Sequence, residues 1–208
     1  GDTLAEGLKV AAHKIGGMAA EYSIEANNMA LPGHDPRAYT SVALGYATST
    51  RGPCHTNSFS HIFEWGATFP EIGIDEVLDR FELDGKAEMV IKAQDLGSLW
   101  ENLALCKFNY FGGVQLQHVS QWLKYVTGWE MTTEELMEVG ARSFNFKRRL
   151  NVKWGLSRIK DTLPARILTQ RVNDGGAGNH LPPLNILLSD YYTLRGWSRE
   201  GIPEQETP

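Results

Sequence analysis

The sequence predicts an all-α fold, an irregular multi-helix domain that spans residues 1–208 as one unit. Apolar residues recur every three or four positions in several long segments, and this spacing places them on one face of a helix. Thr stands three residues before Glu at two positions that precede such segments, which is typical of a helix start. No segment alternates apolar and polar residues over the length of a strand, so no sheet is predicted.

Three helices are predicted in the first part of the chain. Thr3–Glu6 has the spacing of a capping box and predicts a helix directly after it. Asp35–Pro36 has a cap residue followed by proline at the first helical position. The helix that it predicts runs through Tyr46 and stops near Gly52–Pro53. A short amphipathic helix is predicted over Ile74–Phe81.

Four longer helices are predicted in the rest of the chain. Gly85–Cys106 has the pattern of a long and largely buried helix. Gln115–Val126 predicts the next one. Thr132–Glu135 repeats the capping box and opens a helix over Leu136–Val152. The last helix is predicted over Pro183–Leu194.

Composition excludes several classes of protein. The formal net charge of −5 gives no basic face for nucleic acid. No apolar run reaches the roughly 18 residues that a membrane span needs. The first residues lack the basic and apolar segments of a signal peptide. The two cysteines, Cys54 and Cys106, do not suggest a disulfide framework. We therefore expect a cytoplasmic protein with no nucleic-acid or membrane partner.

Two short runs hold the candidate functional residues. In Arg51–His55, Gly-Pro stops a helix and exposes a guanidinium, a thiol and an imidazole close together. Histidine suits proton transfer because its pKa lies near operating pH, but the run also fits a capped helix end. Cys106 follows an apolar helical pattern, and from spacing alone such a cysteine is more often a small buried hydrophobe. His34 and His61 are expected to be structural, because His61 is too far from His55 to share one helical face.

These two runs and several others resemble the C-terminal part of the aldehyde:ferredoxin oxidoreductase family. The resemblance covers nearly the whole chain in the same order. Its segments are Thr48–His55, Glu101–Phe108, Phe144–Val152, Asp161–Arg166 and Tyr191–Trp197. Two positions depart from the family pattern, since Glu101 stands where Asp is usual and Ala104 stands where Gly is usual.

The resemblance implies an enzyme that oxidises aldehydes to carboxylic acids. It implies a tungsten- or molybdenum-pterin centre and a [4Fe–4S] cluster, with ferredoxin as the electron acceptor. Cys106 is then the last metal ligand of the cluster, and Cys54 is a packed neighbour. Glu101, Leu105 and Lys107 are the implied cofactor-binding residues, and His55 is the implied catalytic acid or base.

The resemblance also implies a missing partner. In the family, the pterin-binding domain and three cluster cysteines precede this region, so the chain is expected to be a C-terminal fragment that is inactive alone. Its expected partners are its own N-terminal pterin-binding domain, ferredoxin and an aldehyde, and a homodimer is left open. Two alternatives remain: a helical scaffold or interaction domain without catalysis, and a family member acting on another substrate such as an aromatic acyl thioester.

Overall fold

The computed structural model describes residues 1–204, and the prediction of a mostly helical fold is confirmed. Residues 205–208 of the predicted domain lie outside the described residues. The α-helices are α1 Asp2–Ala5, α2 Leu8–Ile15, α3 Ala19–Tyr22, α4 Thr40–Thr48, α5 His55–Ser58, α6 Ile62–Trp65, α7 Lys86–Asn102, α8 Leu116–Thr127, α9 Thr133–Lys153, α10 Ala165–Thr169 and α11 Leu184–Arg195. Short 3₁₀ turns cover Pro70–Ile72, Lys107–Gly112 and Arg158–Lys160.

Helix α7 lies at the centre of the fold and packs against α4, α5, α9 and α11. Its side chains are buried on nearly every face, including Val90, Ala93 and Leu99. The crossing with α9 depends on Gly140, because a Cβ atom there would lie 2.1 Å from the carbonyl oxygen of Asp95 on α7. Backbone therefore meets backbone at this crossing.

Buried ion pairs connect segments that are distant in sequence. The three pairs are Lys86–Glu64, Arg148–Asp161 and Arg195–Asp95. The Arg148 guanidinium donates to both Asp161 oxygens, at 2.7 and 2.6 Å, and its Nε donates to the carbonyl oxygen of Gly201 at 2.9 Å. Such pairs fix positions more than they add net stability, because two charges must be desolvated to form each one.

The later helices follow the sequence prediction closely. The Thr132 hydroxyl accepts from the Glu135 backbone N–H at 3.2 Å, and the Glu135 carboxylate accepts from the Thr132 N–H at 2.8 Å. This confirms the predicted capping box at the start of α9. Helices α8 and α11 also match their predicted segments to within about one residue at each end.

The predicted helix over Ile74–Phe81 is wrong. Ile74 instead pairs with Phe69 in an isolated antiparallel bridge, and the Leu78 N–H donates to the Phe63 carbonyl oxygen at 3.2 Å. The apolar spacing was real, since Ile74 is buried and Leu78 packs against the core. The backbone groups of Ile74 and Leu78 thus bond to Phe69 and Phe63, and not to the residues four positions away that a helix would need.

Two predicted helix starts are also wrong. The Asp35 carboxylate accepts from the Arg37 backbone N–H at 2.9 Å and pairs with its guanidinium, which closes a turn, and α4 begins only at Thr40. The Thr3 hydroxyl accepts from the Lys14 ammonium at 3.2 Å and caps nothing. Asp35 therefore closes a turn and Thr3 contacts Lys14, and neither side chain caps a helix at the predicted position.

A hairpin of two short strands, β1 Glu25–Ala26 and β2 Met29–Ala30, was not predicted. Its turn residues Asn27 and Asn28 both have positive φ, at 49° and 63°, which asparagine tolerates better than most residues. Among residues 1–204, no helix combines the length and the apolar character that crossing a membrane requires.

Candidate functional site

His55 lies at the first position of α5, just after the turn that ends α4. Cys54 has extended backbone angles and precedes the helix as its cap residue. The Asn151 side chain of α9 donates to the Thr50 carbonyl oxygen at 2.7 Å, which fixes the turn to the core. Helix α4 ends at Thr48, short of the predicted stop, so the whole Arg51–His55 run lies in the connection and at the start of α5.

The Cys54 thiol is half-buried and is held by two neighbours. Arg51 Nη2 donates to its sulfur at 2.9 Å, and Thr56 Oγ1 lies 3.2 Å from the same atom. Burial alone would raise the pKa of Cys54, but the contacts with Thr56 and Arg51 outweigh it and leave the pKa below its usual value. Lowered thiol pKa values are typical of cysteines beside a cation.

The structure brings His34 and His61 to His55. The His34 and His55 rings stack with centroids 4.1 Å apart and planes 21° apart. The His61 ring lies 4.9 Å from His34 and 6.0 Å from His55. Sequence spacing did not reveal this cluster, because the three residues belong to different segments and Phe59 ends α5 in the left-handed conformation, with a φ of 58°.

Burial and the repulsion of nearby positive charges disfavour protonation of His55 and His61. Burial first, then the nearby His34 and Arg51, lower the pKa of His55. Burial, followed by His34 and His55, lowers the pKa of His61 to about 4, and this side chain is only 7 % exposed. Two unit charges 4 Å apart repel by roughly 4 kcal/mol at an effective dielectric constant near 20. The neutral forms of His55 and His61 are therefore favoured.

Cys106 is an exposed free thiol at the start of the 3₁₀ turn Lys107–Gly112. The predicted helix to Cys106 is too long, because α7 ends at Asn102. Ala104 follows with a φ of 53°, and the Leu105 N–H donates back to the Trp100 carbonyl oxygen at 2.9 Å. This is the geometry of a helix end that favours glycine, so the departure at Ala104 concerns backbone conformation.

Lys107 links the Cys106 turn to α5. Its Nζ atom lies 2.5 Å from the Thr56 carbonyl oxygen and 2.8 Å from Glu101 Oε1. The other Glu101 oxygen accepts from Lys147 Nζ at 2.7 Å. Although burial opposes it, the two lysines hold the pKa of Glu101 below its usual value. Glu101 is therefore an ionised group that orders two lysines.

An aromatic surface continues from the Cys106 turn to the histidines. Phe108 and Phe111 are 59 % and 53 % exposed. Their rings lie 5.4 and 5.7 Å from the Phe59 ring, which meets the His61 ring edge-on at 5.3 Å. Leu105, which follows Ala104 in the same segment, is partly buried and packs against the core. The sequence runs around His55 and Cys106 are thus neighbours in space.

The metal-ligating side chains fit one ligand position of an iron–sulfur cluster and not its complete set of ligands. Within residues 1–204 no group of three or more His, Cys, Asp or Glu side chains is placed to hold a metal ion. An exposed thiol such as Cys106 can supply one thiolate to a cube-shaped iron–sulfur cluster, which normally takes four. Its exposure argues against the alternative of a buried hydrophobe.

These features define a helical domain in which the segments that carry His55 and Cys106 adjoin. The family model described as aldehyde ferredoxin oxidoreductase, domains 2 & 3, matches residues 1–208. The chain belongs to the aldehyde ferredoxin oxidoreductase family.

Relatives from Pyrococcus and Thermococcus have similar sequences. The tungsten-containing aldehyde ferredoxin oxidoreductase of Pyrococcus abyssi is 37 % identical over 210 positions, covering 99 % of this chain and 33 % of its own. The enzyme of the same name from Thermococcus kodakarensis is 36 % identical with the same coverage. The chain thus spans about a third of the length of the curated relatives that it matches.

A solved structure shows a similar fold. The active-site complex BamBC of benzoyl coenzyme A reductase in complex with 1,5-dienoyl-CoA superimposes with a TM-score of 0.62 at 22 % identity. The match covers 98 % of this chain and 35 % of that one. At this identity the likeness concerns the fold alone.

Proposed function

We propose that this chain works as the helical C-terminal part of a cytoplasmic enzyme that oxidises aldehydes to carboxylic acids. The proposed cofactors are a tungsten- or molybdenum-pterin and a [4Fe–4S] cluster, with ferredoxin as the electron acceptor. The observation that carries the proposal is the family match over all 208 residues. The contact between Lys107 and the Thr56 carbonyl supports it, because it sets exposed Cys106 and His55 on adjoining segments.

Cys106 is the proposed cluster ligand of this chain. Its thiol is exposed, and the turn that carries it is anchored by Lys107. Leu105 and Lys107 flank the thiol and are the proposed pterin contacts. Glu101, whose oxygens are both engaged by lysines, contributes to that contact by holding Lys107 and Lys147 in place.

His55 is the proposed acid or base. Oxidising an aldehyde to a carboxylate with oxygen from water releases two electrons and three protons, so the site needs a proton acceptor. The bound pterin metal would supply the oxygen-atom and electron chemistry. His55 fits the acceptor role because burial and its neighbours lower its pKa and keep the ring neutral at physiological pH.

A pterin-binding domain is the proposed partner. The relatives that match this chain are about three times its length. Large apolar side chains near the start of the chain are exposed in the structure, which fits a surface covered by another domain. They are Leu4, Ile15, Met18, Tyr22 and Met29.

The test is the iron content of the enzyme that contains this chain together with its pterin-binding domain. We expect Cys106→Ser to lose or destabilise the cluster, because oxygen is a poor substitute for a soft thiolate. Cys54→Ser, with its sulfur held by Arg51 and Thr56, should keep full iron content. Equal iron in both variants would remove Cys106 from the site. An enzyme with no iron at all would favour the helical-scaffold alternative.

An aromatic substrate is the second candidate, and the aromatic surface of Phe59, Phe108 and Phe111 beside His61 favours it. Comparing oxidation of benzaldehyde and acetaldehyde with reduction of an aromatic acyl thioester separates the candidates. Turnover of the thioester alone would assign the chain to the second one.

A further inference from the structure

The rings of His34, His55 and His61 form a histidine cluster. A separate role for each ring does not explain why they lie together. The His34 and His55 rings are stacked face to face, whereas His61 meets them at steeper angles of 53° and 63°. One ring comes from the loop before α4, one from the start of α5 and one from the residue before α6. Three separate chain segments therefore converge to hold these rings together.

Each of the three rings has a buried Nδ1 atom without a hydrogen-bond partner. An unpaired buried polar atom is destabilising, and native structures contain few of them. His61 is the most enclosed of the three, at 7 % exposure. Three such atoms on neighbouring rings call for an explanation other than stability.

We propose that His34 and His61 are positioning residues for His55, and that the three rings form one unit that binds at most one proton near neutral pH. In this unit His34 fixes the plane of the His55 ring by stacking. His61 closes the buried side and is itself held edge-on by Phe59 at 5.3 Å. The inference rests on the proposed function only for the reaction that His55 serves.

The cations around the cluster oppose a second proton. Arg51 lies on the same segment as His55, and its charge disfavours a proton on that ring. Lys107 approaches α5 from the Cys106 turn and contacts the Thr56 carbonyl. The Cys54 sulfur is paired with Arg51 and gives no free negative charge to the rings.

The nearby carboxylates and hydroxyls do not offset this repulsion. Asp35, next to His34 in sequence, pairs with Arg37 at 2.6 Å, and Glu101 is paired with two lysines. Tyr46 of α4 has a buried hydroxyl without a partner, and burial, with Cys54 and Asp35, raises its pKa, so it stays neutral. Tyr39 meets His61 edge-on at 6.3 Å. A second proton in the cluster therefore lacks a counter-charge.

The test is an NMR titration of the six histidines in this chain and its variants. His34→Phe keeps an aromatic ring on His55 but removes the group that can take up a proton, and His34→Gln removes both. We expect both variants to raise the pKa of His55 by on the order of half a unit to one unit. Only His34→Gln should broaden the His55 ring signals, because it alone removes the stack. His13→Gln, at an exposed position on α2, is the control and should leave His55 unchanged.

The coupling must also extend from His55 to His61. His55→Gln should raise the pKa of His61 above its value of about 4. If both His34 variants leave the His55 midpoint at the control value, or if His61 does not respond to His55→Gln, the proposal is wrong. If His34→Gln unfolds, all its histidines will titrate alike. The proposal is then tested by the His55 midpoint in His34→Phe and the His61 midpoint in His55→Gln.

The assembled enzyme gives a second readout. His34→Phe should move the acidic limb of the kcat/KM profile to higher pH, since His55 would then hold its proton longer. An enzyme that oxidises no aldehyde would contradict the proposed function while leaving the NMR couplings intact. Couplings absent from an active enzyme would contradict the three-ring unit alone.

Discussion

Lys107 Nζ lies 2.5 Å from the carbonyl oxygen of Thr56, and this contact joins the turn that carries Cys106 to the helix that begins at His55. Gly97 makes room for it, because a Cβ atom there would lie 2.3 Å from the Asn57 carbonyl oxygen and 3.4 Å from Lys107 Nζ. One ammonium group thereby sets the distance between the two candidate functional segments.

Replacing this ammonium should destabilise the fold measurably. Lys107→Met leaves the Thr56 carbonyl without its charged donor, and losing a buried partner costs about 1–3 kcal/mol. Urea unfolding followed by circular dichroism measures this loss. Lys92→Met is the matched control, since Lys92 also contacts a carbonyl and a glutamate but is more exposed. Equal losses in the two variants would mean that the Thr56 contact carries no special weight.

The helix end before Cys106 predicts a stabilising substitution. Ala104 is exposed and has a φ of 53°, a conformation that disfavours a Cβ atom. Ala104→Gly should raise the free energy of unfolding by roughly 0.5–1 kcal/mol after the entropy of glycine in the unfolded chain is counted. Ala141→Gly, inside α9, should have the opposite sign. A loss of stability in both variants would contradict the strain at Ala104.

Much of the helical framework could be predicted from local signals. The capping box at Thr132 and Glu135 formed as predicted, with each side chain accepting from the backbone N–H of the other residue. The helix predicted from Asp35 begins only at Thr40, because the Asp35 carboxylate binds the backbone N–H and the guanidinium of Arg37 and closes a turn instead. A capping residue therefore predicts a helix start only if its side chain is not bound elsewhere. The spacing of residues does not reveal that Asp35 pairs with Arg37.

The candidate site was predictable in part. The Arg51–His55 and Glu101–Phe108 runs could be singled out by motif, and the structure places them beside each other. The approach of His34 and His61 to His55 could not, since it depends on how α4, α5 and α6 are oriented. The positive φ of Phe59, unusual in a bulky residue, has no signature in the sequence. Such strain at a site is retained when the surrounding structure imposes it.

The crossing of α7 and α9 should not tolerate a methyl group. Gly140→Ala places Cβ 2.1 Å from the Asp95 carbonyl oxygen, so the helices must separate at a cost of about 1–3 kcal/mol. Thermal unfolding measures the loss. Gly112→Ala, where an added Cβ meets nothing within 4 Å, is the control and should leave the unfolding midpoint nearly unchanged. A tolerated Gly140→Ala would show that the crossing is not as close as described.

The Cys54 thiol should react at lower pH than an ordinary cysteine, because Thr56 and Arg51 together lower its pKa despite burial. A lowered pKa means that the thiolate, which is the reactive form, persists as the pH falls. In a Cys106→Ser background, Cys54 is the only thiol, and its alkylation rate by iodoacetamide can be followed across pH.

Arg51→Gln removes the guanidinium that contacts the Cys54 sulfur at 2.9 Å, and Thr56→Val removes the hydroxyl at 3.2 Å. Each change should raise the pKa of Cys54 and move the alkylation curve to higher pH. Arg51→Gln should have the larger effect, since it removes both a charge and a hydrogen bond. Arg166→Gln, whose guanidinium lies over the Tyr22 ring, is the control. A curve that stays in place in Arg51→Gln would mean that this contact does not stabilise the thiolate.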